Sequence, residues 1–93
     1  MRKCLKISVS GRVQKVAYRS FAQKSALALN IEGTVQNSDN GDVVIHACGT
    51  TEQLDAFLDL LYKGSPLSRV EDINTEPFTE DKHFRGVFRV IGQ

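Results

Sequence analysis

One short stretch of this chain has the features of an anion-binding loop. Residues 11–19 read Gly-Arg-Val-Gln-Lys-Val-Ala-Tyr-Arg, and after Gly11 they include no Asp, Glu, His, Ser or Cys. A loop between a strand and a helix leaves several main-chain N–H groups without partners, and the helix dipole adds positive charge there. Arg19 lies in the first helical turn, where its guanidinium opposes the dipole but can bind two phosphate oxygens. The stretch is therefore either a phosphate site or a plain loop with a solvated arginine.

Hydrophobic periodicity indicates the elements that must position this loop. Leu5, Ile7 and Val9 alternate with polar residues, as in a half-buried strand, and the pattern stops at Gly11. Apolar and small residues then recur at helical spacing, and Asn30 can end that helix in the left-handed conformation. The residues at helical spacing are Tyr18, Phe21, Ala22, Ser25, Ala26 and Leu29.

A hairpin and a second helix follow. Residues 33–36 and 42–48 are extended segments that flank a polar turn containing Asn-Gly, which is a strong hairpin pattern. Thr50 and Gln53 form a capping box, and the helix that they begin is predicted to end near Gly64. Its apolar face is formed by Leu54, Phe57, Leu58 and Leu61.

The predicted order of elements is βαββαβ, with the last extended segments at residues 68–75 and 84–91. This order is typical of a ferredoxin-like α+β sandwich, in which two helices cover one face of a four-stranded antiparallel sheet. We expect residues 1–93 to form a single domain. The architecture hosts enzymes, RNA-binding modules and ligand-binding domains, so it does not assign a function.

Composition argues against several classes of protein. A net charge of +1 over 93 residues gives no broad field to attract nucleic acid or an anionic membrane. The first ten residues lack the apolar block of a signal peptide, and no later run could span a bilayer, so we expect a cytoplasmic protein. Cys4 and Cys48 lack CxxC or Cys/His spacing, which favours two reduced thiols and gives no support to a metal site.

Two motifs carry a resemblance to a known family. Residues 11–19, GRVQKVAYR, resemble the acylphosphatase signature G-x-V-Q-G-V-x-[FY]-R. Residues 33–37, GTVQN, are followed by Gly41 and resemble that family's second motif, G-[aromatic]-V-x-N before a hairpin glycine. The chain length and the order of elements are also similar to those of the family.

This resemblance implies a monomeric enzyme that hydrolyses the carboxyl-phosphate bond of small acyl phosphates, without metal or cofactor. It implies that Arg19 binds the phosphate and that Asn37 positions the attacking water. It places the phosphate oxygens on the main-chain amides of Gln14, Lys15, Val16, Ala17 and Tyr18. A loop without an acid or base suits this chemistry, because a carboxylate whose conjugate acid has a pKa of roughly 4 leaves without a proton.

The sequence departs from the family pattern at two positions. Lys15 replaces a glycine, and if the position requires a positive φ the lysine costs roughly 1–2 kcal/mol. Three interpretations remain open: Lys15 distorts the loop, adds a cation beside the anion, or extends into water. The first interpretation leads to an alternative function, a non-catalytic phosphate- or ligand-binding domain of the same fold. Thr34 stands where the family often has an aromatic residue, which changes local packing.

The remaining polar residues offer less chemistry. Arg12 and Gln14 are predicted to expose their side chains. His46 and His83 have no spaced partner, so neither is expected to be catalytic. The basic residues do not form a stripe interleaved with stacking aromatics, and RNA binding is therefore a third, disfavoured alternative.

Overall fold

Five strands and two helices make up the part of the chain that the computed structural model describes, residues 2–79 and 85–92. In chain order they are β1 (Arg2–Arg12), α1 (Tyr18–Ala28), β2 (Glu32–Asn37), β3 (Val43–Thr50), α2 (Thr51–Lys63), β4 (Arg69–Pro77) and β5 (Phe88–Ile91).

The sheet has one strand more than predicted, and it is not wholly antiparallel. Its order is β4-β1-β3-β2-β5, with β5 parallel to β2 at one edge and the other pairs antiparallel. The prediction of four antiparallel strands is therefore wrong. Sequence patterns predict the last two segments as extended. The pattern within one strand, however, does not specify which strand pairs with it or whether the pair is parallel. The predicted start of the last strand, Phe84, lies outside the described residues, and β5 begins at Phe88.

The interior strand β1 leads directly into the anion-binding loop. Its register with β4 shifts between Ser10 and Gly11, where φ is 119°. A Cβ on Gly11 would lie 2.2 Å from the carbonyl oxygen of Arg69, so a side chain there would collide with β4. Glycine is needed because the register shift combines a positive φ with close contact to the backbone of β4.

The ends of both helices agree with the sequence. In the capping box of α2, Gln53 N–H donates to Thr50 Oγ1 at 3.1 Å and Thr50 N–H donates to Gln53 Oε1 at 2.7 Å. Helix α1 is followed by Asn30 with a φ of 59°. At the other end of α1, Ala17 occupies the cap position in a left-handed conformation and no side chain caps the helix. The first N–H groups of α1 therefore remain available.

Both helices pack on the face of the sheet that carries the alternate apolar residues. Helix α1 contacts β2 and β5, and helix α2 contacts β3 and β4. Phe57 of α2 meets Phe88 of β5 edge to face, with ring centroids 6.1 Å apart. The largest fully buried side chains are Tyr18, Phe57, Ile7, Ile31, Ile45, Leu61, Val9, Val13, Val35, Val43 and Cys48. In residues 2–79 and 85–92, neither helix has the length and apolar character needed to cross a membrane.

Cys4 and Cys48 form a disulfide, which contradicts the expectation of two reduced thiols. They lie directly opposite each other in the antiparallel pair of β1 and β3, with their Cα atoms 4.1 Å apart. Directly opposed side chains in such a pair are close enough to be linked. The spacing of 44 residues in the sequence does not reveal this register, which is set by the pairing of the strands.

We expect reduction of the disulfide to lower the free energy of unfolding by about 2–4 kcal/mol, because the bond restricts a long segment of the unfolded chain. Urea unfolding of the oxidised and the reduced protein measures this difference. A variant carrying both Cys4→Ala and Cys48→Ala should be insensitive to the reductant. Coincident midpoints for oxidised and reduced wild-type protein would contradict the prediction.

Candidate active site

A cleft of about 280 Å³ lies where the loop after β1, the start of α1 and the end of β2 meet. It brings together the two residues proposed for catalysis, Arg19 and Asn37, although they are far apart in the sequence. Three of the five predicted loop residues also line it: Lys15, Ala17 and Tyr18. The remaining lining residues are Val13, Ser20, Gln23 and Val90.

The backbone of the loop has the shape of an anion cradle. Lys15 and Ala17 have φ angles of 63° and 61°, and Val16 between them is not among the residues with positive φ. Such alternation turns successive N–H groups towards one concave side, which favours anion binding. In the described part of the chain, no main-chain N–H of residues 14–20 donates a hydrogen bond to a protein acceptor. These donors are therefore free to bind an anion.

Two carbonyl groups fix the direction of the cradle. The Val16 carbonyl accepts from Ser65 Oγ at 3.2 Å, and the Ala17 carbonyl accepts from Phe21 N–H at 3.1 Å. In a trans peptide the N–H points opposite to the carbonyl. The N–H groups of Ala17 and Tyr18 therefore point away from Ser65 and Phe21. Val16 itself is buried in the core and does not line the cleft, so any contribution from this residue comes from its main chain.

The side chain of Gln14 does not lie in solvent as predicted. Its Nε2 donates to the carbonyl oxygens of Ser38 and Asp42, both at 2.8 Å, and so joins the loop to the turn between β2 and β3. Gln14 does not line the cleft. The prediction was wrong because a polar residue in a loop was taken to be solvated, whereas here the turn offers two carbonyls within reach. Arg12, in contrast, is exposed as expected.

Arg19 is held against the last strand. Its Nη1 donates to the carbonyl oxygen of Ile91 at 2.8 Å. Gln23, one helical turn further on, donates through Nε2 to the carbonyl of Phe88 at 3.0 Å. Because a guanidinium has five N–H donors, the bond to Ile91 leaves others for a ligand. The sequence motifs do not include Gln23, although its spacing of four residues from Arg19 places both on one helical face.

Asn37 carries the one buried side-chain oxygen or nitrogen that lacks a hydrogen-bond partner among residues 2–79 and 85–92, its Oδ1. The residue ends β2, opposite Val43 of β3. An unpaired buried acceptor costs about 1–3 kcal/mol, so such atoms are normally satisfied. Asn37 lines the cleft, so a water molecule bound there is a candidate partner for its amide group. That is the interaction needed to orient an attacking water.

Tyr18 contributes its backbone to the cleft, and its side chain belongs to the core. Its hydroxyl donates to the carbonyl of Leu61 at 2.8 Å, and the ring packs against Phe21 with centroids 5.7 Å apart. Burial raises the pKa of the Tyr18 hydroxyl well above its ordinary value. The hydroxyl therefore stays protonated at neutral pH and does not act as a base.

His46 lies outside the cleft. It faces Phe78 edge to face, with ring centroids 5.1 Å apart, and burial together with the nearby Lys6 lowers its pKa. His83 lies outside the described residues. Across residues 2–79 and 85–92, no three residues of the His, Cys, Asp and Glu types are grouped so that they could hold a metal ion.

A second and larger cleft, of about 410 Å³, lies beside the start of β1 and the end of β4. None of the motif residues reaches it. It is lined by Arg2, Lys3, Cys4, Leu5, Pro77 and Phe78. This cleft has the greater volume, but Asn37, which carries the unpaired acceptor, does not line it.

Comparison with known proteins identifies the family. The family model described as acylphosphatase matches residues 5–90. The chain belongs to the acylphosphatase family. An acylphosphatase of Methanocella arvoryzae is 41% identical over 81 residues, covering 87% of this chain and 92% of that protein. An acylphosphatase of Bacillus licheniformis is 44% identical over 75 residues, covering 81% and 83%.

Solved structures agree with this membership. The crystal structure of acylphosphatase from Bacillus subtilis matches with a TM-score of 0.90 at 34% identity, covering 99% of this chain and 100% of that one. The acylphosphatase of Coxiella burnetii matches with a TM-score of 0.87 at 34% identity, covering 96% and 92%. The resemblance inferred from the two motifs is confirmed at the level of the family.

We expect Gln14→Ala to lower the free energy of unfolding by about 1–3 kcal/mol, since each of its two hydrogen bonds contributes about 0.5–1.5 kcal/mol. Affinity for inorganic phosphate should also fall, because the loop loses its connection to the turn beside Asn37. Urea unfolding and phosphate titration measure the two effects. Arg12→Ala changes an exposed residue near Gln14 and should alter neither the free energy of unfolding nor the affinity for phosphate. Equal behaviour of the two variants would show that the bonds of Gln14 do not position the loop.

Proposed function

We propose that this chain hydrolyses the carboxyl-phosphate bond of small acyl phosphates to a carboxylate and inorganic phosphate. The observation that carries the proposal is the convergence on one cleft of free main-chain N–H groups, the Arg19 guanidinium and the unpaired Asn37 oxygen. Donors suited to three phosphoryl oxygens thus stand beside an acceptor suited to water.

In this mechanism the loop and Arg19 bind the phosphoryl group. The main-chain amides of Gln14, Lys15, Val16, Ala17 and Tyr18 and the remaining guanidinium N–H groups donate to its oxygens. Phosphoryl transfer depends mainly on positioning and on stabilising the charge of those oxygens. The free N–H groups are held in the loop before the substrate arrives, so little reorganisation is needed during the reaction.

Asn37 supplies the orientation of the nucleophile. Its Oδ1 accepts a hydrogen bond from a water molecule, whose oxygen attacks phosphorus as the bond from phosphorus to the acyl oxygen breaks. The electron pair of that bond leaves with the carboxylate. The proton of the water passes to a phosphoryl oxygen or to solvent. Because the carboxylate is a weak base, the step needs no general acid.

We expect Arg19→Ala to lower phosphate affinity and kcat/KM by at least about tenfold, since one charge-assisted hydrogen bond contributes about 1.5–3 kcal/mol. The assay is hydrolysis of benzoyl phosphate, with product phosphate as competitor. Arg19→Lys keeps the charge but not the planar fork and should recover only part of the loss. Lys24→Gln, an exposed change on α1 outside the cleft, serves as the control. Unchanged kinetics in folded Arg19→Ala would assign the activity elsewhere.

Asn37→Ala should lower kcat on the order of 10²-fold, while KM changes little, because the residue acts on water and not on the substrate. The same change removes an unpaired buried oxygen, so the stability of the protein should not fall. This combination separates a catalytic role from a structural one. A fall in stability with no fall in kcat would contradict the proposed role.

A non-catalytic phosphate-binding domain is the second candidate, favoured by the positive φ of Lys15 in the phosphate loop. Lysine in this conformation costs roughly 1–2 kcal/mol relative to glycine. Tight binding of phosphate without hydrolysis of benzoyl phosphate, together with hydrolysis by Lys15→Gly, would favour this candidate over the enzyme.

We further propose that the chain acts as a single-domain monomer in the cytoplasm, without metal. No step of the mechanism uses the disulfide of Cys4 and Cys48 or a metal ion. Hydrolysis of benzoyl phosphate should therefore continue in the presence of EDTA and of a thiol reductant at temperatures where the reduced protein stays folded. Loss of activity with EDTA, reversed by added metal, would contradict metal independence.

A further inference from the structure

Lys15 lines the cleft in a backbone conformation that is unfavourable for a lysine. It takes a φ of 63°, which glycine adopts freely and a side chain does not. Ala17 shares that conformation but brings no functional group. Strained positions persist where the surrounding structure enforces them, and they are concentrated at binding sites. The lysine thus raises the question of what its ammonium group binds.

Nothing in the described protein satisfies that ammonium group. Lys15 is exposed and lines the cleft, and among residues 2–79 and 85–92 it makes no hydrogen bond or ion pair. Among residues 2–79 and 85–92, no Asp or Glu lines the cleft with it. The charged residues that line it in the described chain are therefore two cations, Lys15 and Arg19. A ligand with more than one anionic group would match this pair.

The two cations lie at different depths. Arg19 is half-buried and held by the Ile91 carbonyl, whereas Lys15 is exposed and has no partner in the described chain. If the phosphoryl group sits on Arg19 and the loop amides, the acyl portion of the substrate extends towards solvent. The flexible stem of a lysine lets its ammonium follow a group there. Lys15 is thus placed to meet the acyl portion.

We propose that Lys15 is a specificity residue that binds a second anionic group on the acyl portion, so that the chain prefers acyl phosphates of dicarboxylic or phosphorylated acids. This inference rests on the proposed hydrolysis of acyl phosphates and adds the class of substrate. Lys15 contributes an exposed ion pair, which depends on salt, and takes no part in breaking the bond.

The test compares benzoyl phosphate with 4-carboxybenzoyl phosphate, which adds a carboxylate far from the reacting bond. The measured quantity is the ratio of the two kcat/KM values on each protein, so that any general effect of a substitution on the loop cancels. Wild-type protein should prefer the carboxylated substrate by about two- to fivefold, the size of an exposed ion pair. The preference should decrease as salt is raised.

Three variants assign the preference to the ammonium group. Lys15→Gln keeps a side chain on the same backbone and should reduce the ratio to one or below. Lys15→Arg and Lys24→Gln keep a cation at position 15 and should retain the wild-type ratio. An equal ratio in wild-type protein and Lys15→Gln would overturn the inference. A parallel loss of kcat/KM on both substrates in Lys15→Gln would also overturn it, because the ammonium group would then act on the phosphoryl group. Failure of wild-type protein to hydrolyse either substrate would instead overturn the proposed function, and the inference with it.

Discussion

The candidate site depends on main-chain N–H groups that have no hydrogen-bond partner within the described protein. Main-chain N–H groups are normally paired within secondary structure, with side chains or with water. In the described chain those of residues 14–20 have no protein partner, and no side chain caps α1. Main-chain hydrogen bonds within the loop therefore cannot fix its conformation. The loop must be held in place by its surroundings, and several features of the fold serve that purpose.

Side-chain hydrogen bonds connect the loop to distant parts of the sequence. Gln14 joins it to the turn after β2, Ser65 holds the Val16 carbonyl, and Tyr18 is fixed through its hydroxyl to α2. On the other side of the cleft, the carbonyl of Ile91 holds the guanidinium of Arg19. These bonds use side-chain donors and main-chain carbonyl acceptors, and none of them uses a main-chain N–H group of the loop. The loop is fixed in space and its donors remain free.

The sequence predicts the local parts of this arrangement well. The two helices, the capping box and the hairpin depend on neighbouring residues, and the structure confirms them. The parallel pairing of β5 and the Cys4–Cys48 disulfide depend on which strands meet, and alternation within a strand does not contain that information. For the same reason the sequence suggests that Arg19 and Asn37 act together only through the family resemblance, and it gives no indication of the carbonyl that holds Arg19.

The strained backbone positions and the unpaired buried oxygen lie at the cleft. Lys15 and Ala17 are strained, and Asn37 holds an unpaired buried oxygen; the remaining non-glycine residue with positive φ in the described chain, Asn30, ends a helix. An anion would satisfy the free N–H groups, and a water beside it would satisfy Asn37 Oδ1. The folded chain is therefore most completely hydrogen-bonded with both ligands present. By linkage, a phosphate-like ligand that binds the folded state alone stabilises it in proportion to the logarithm of its concentration. The features that lower the stability of the empty protein are thus the ones that a phosphoryl group and its attacking water would compensate.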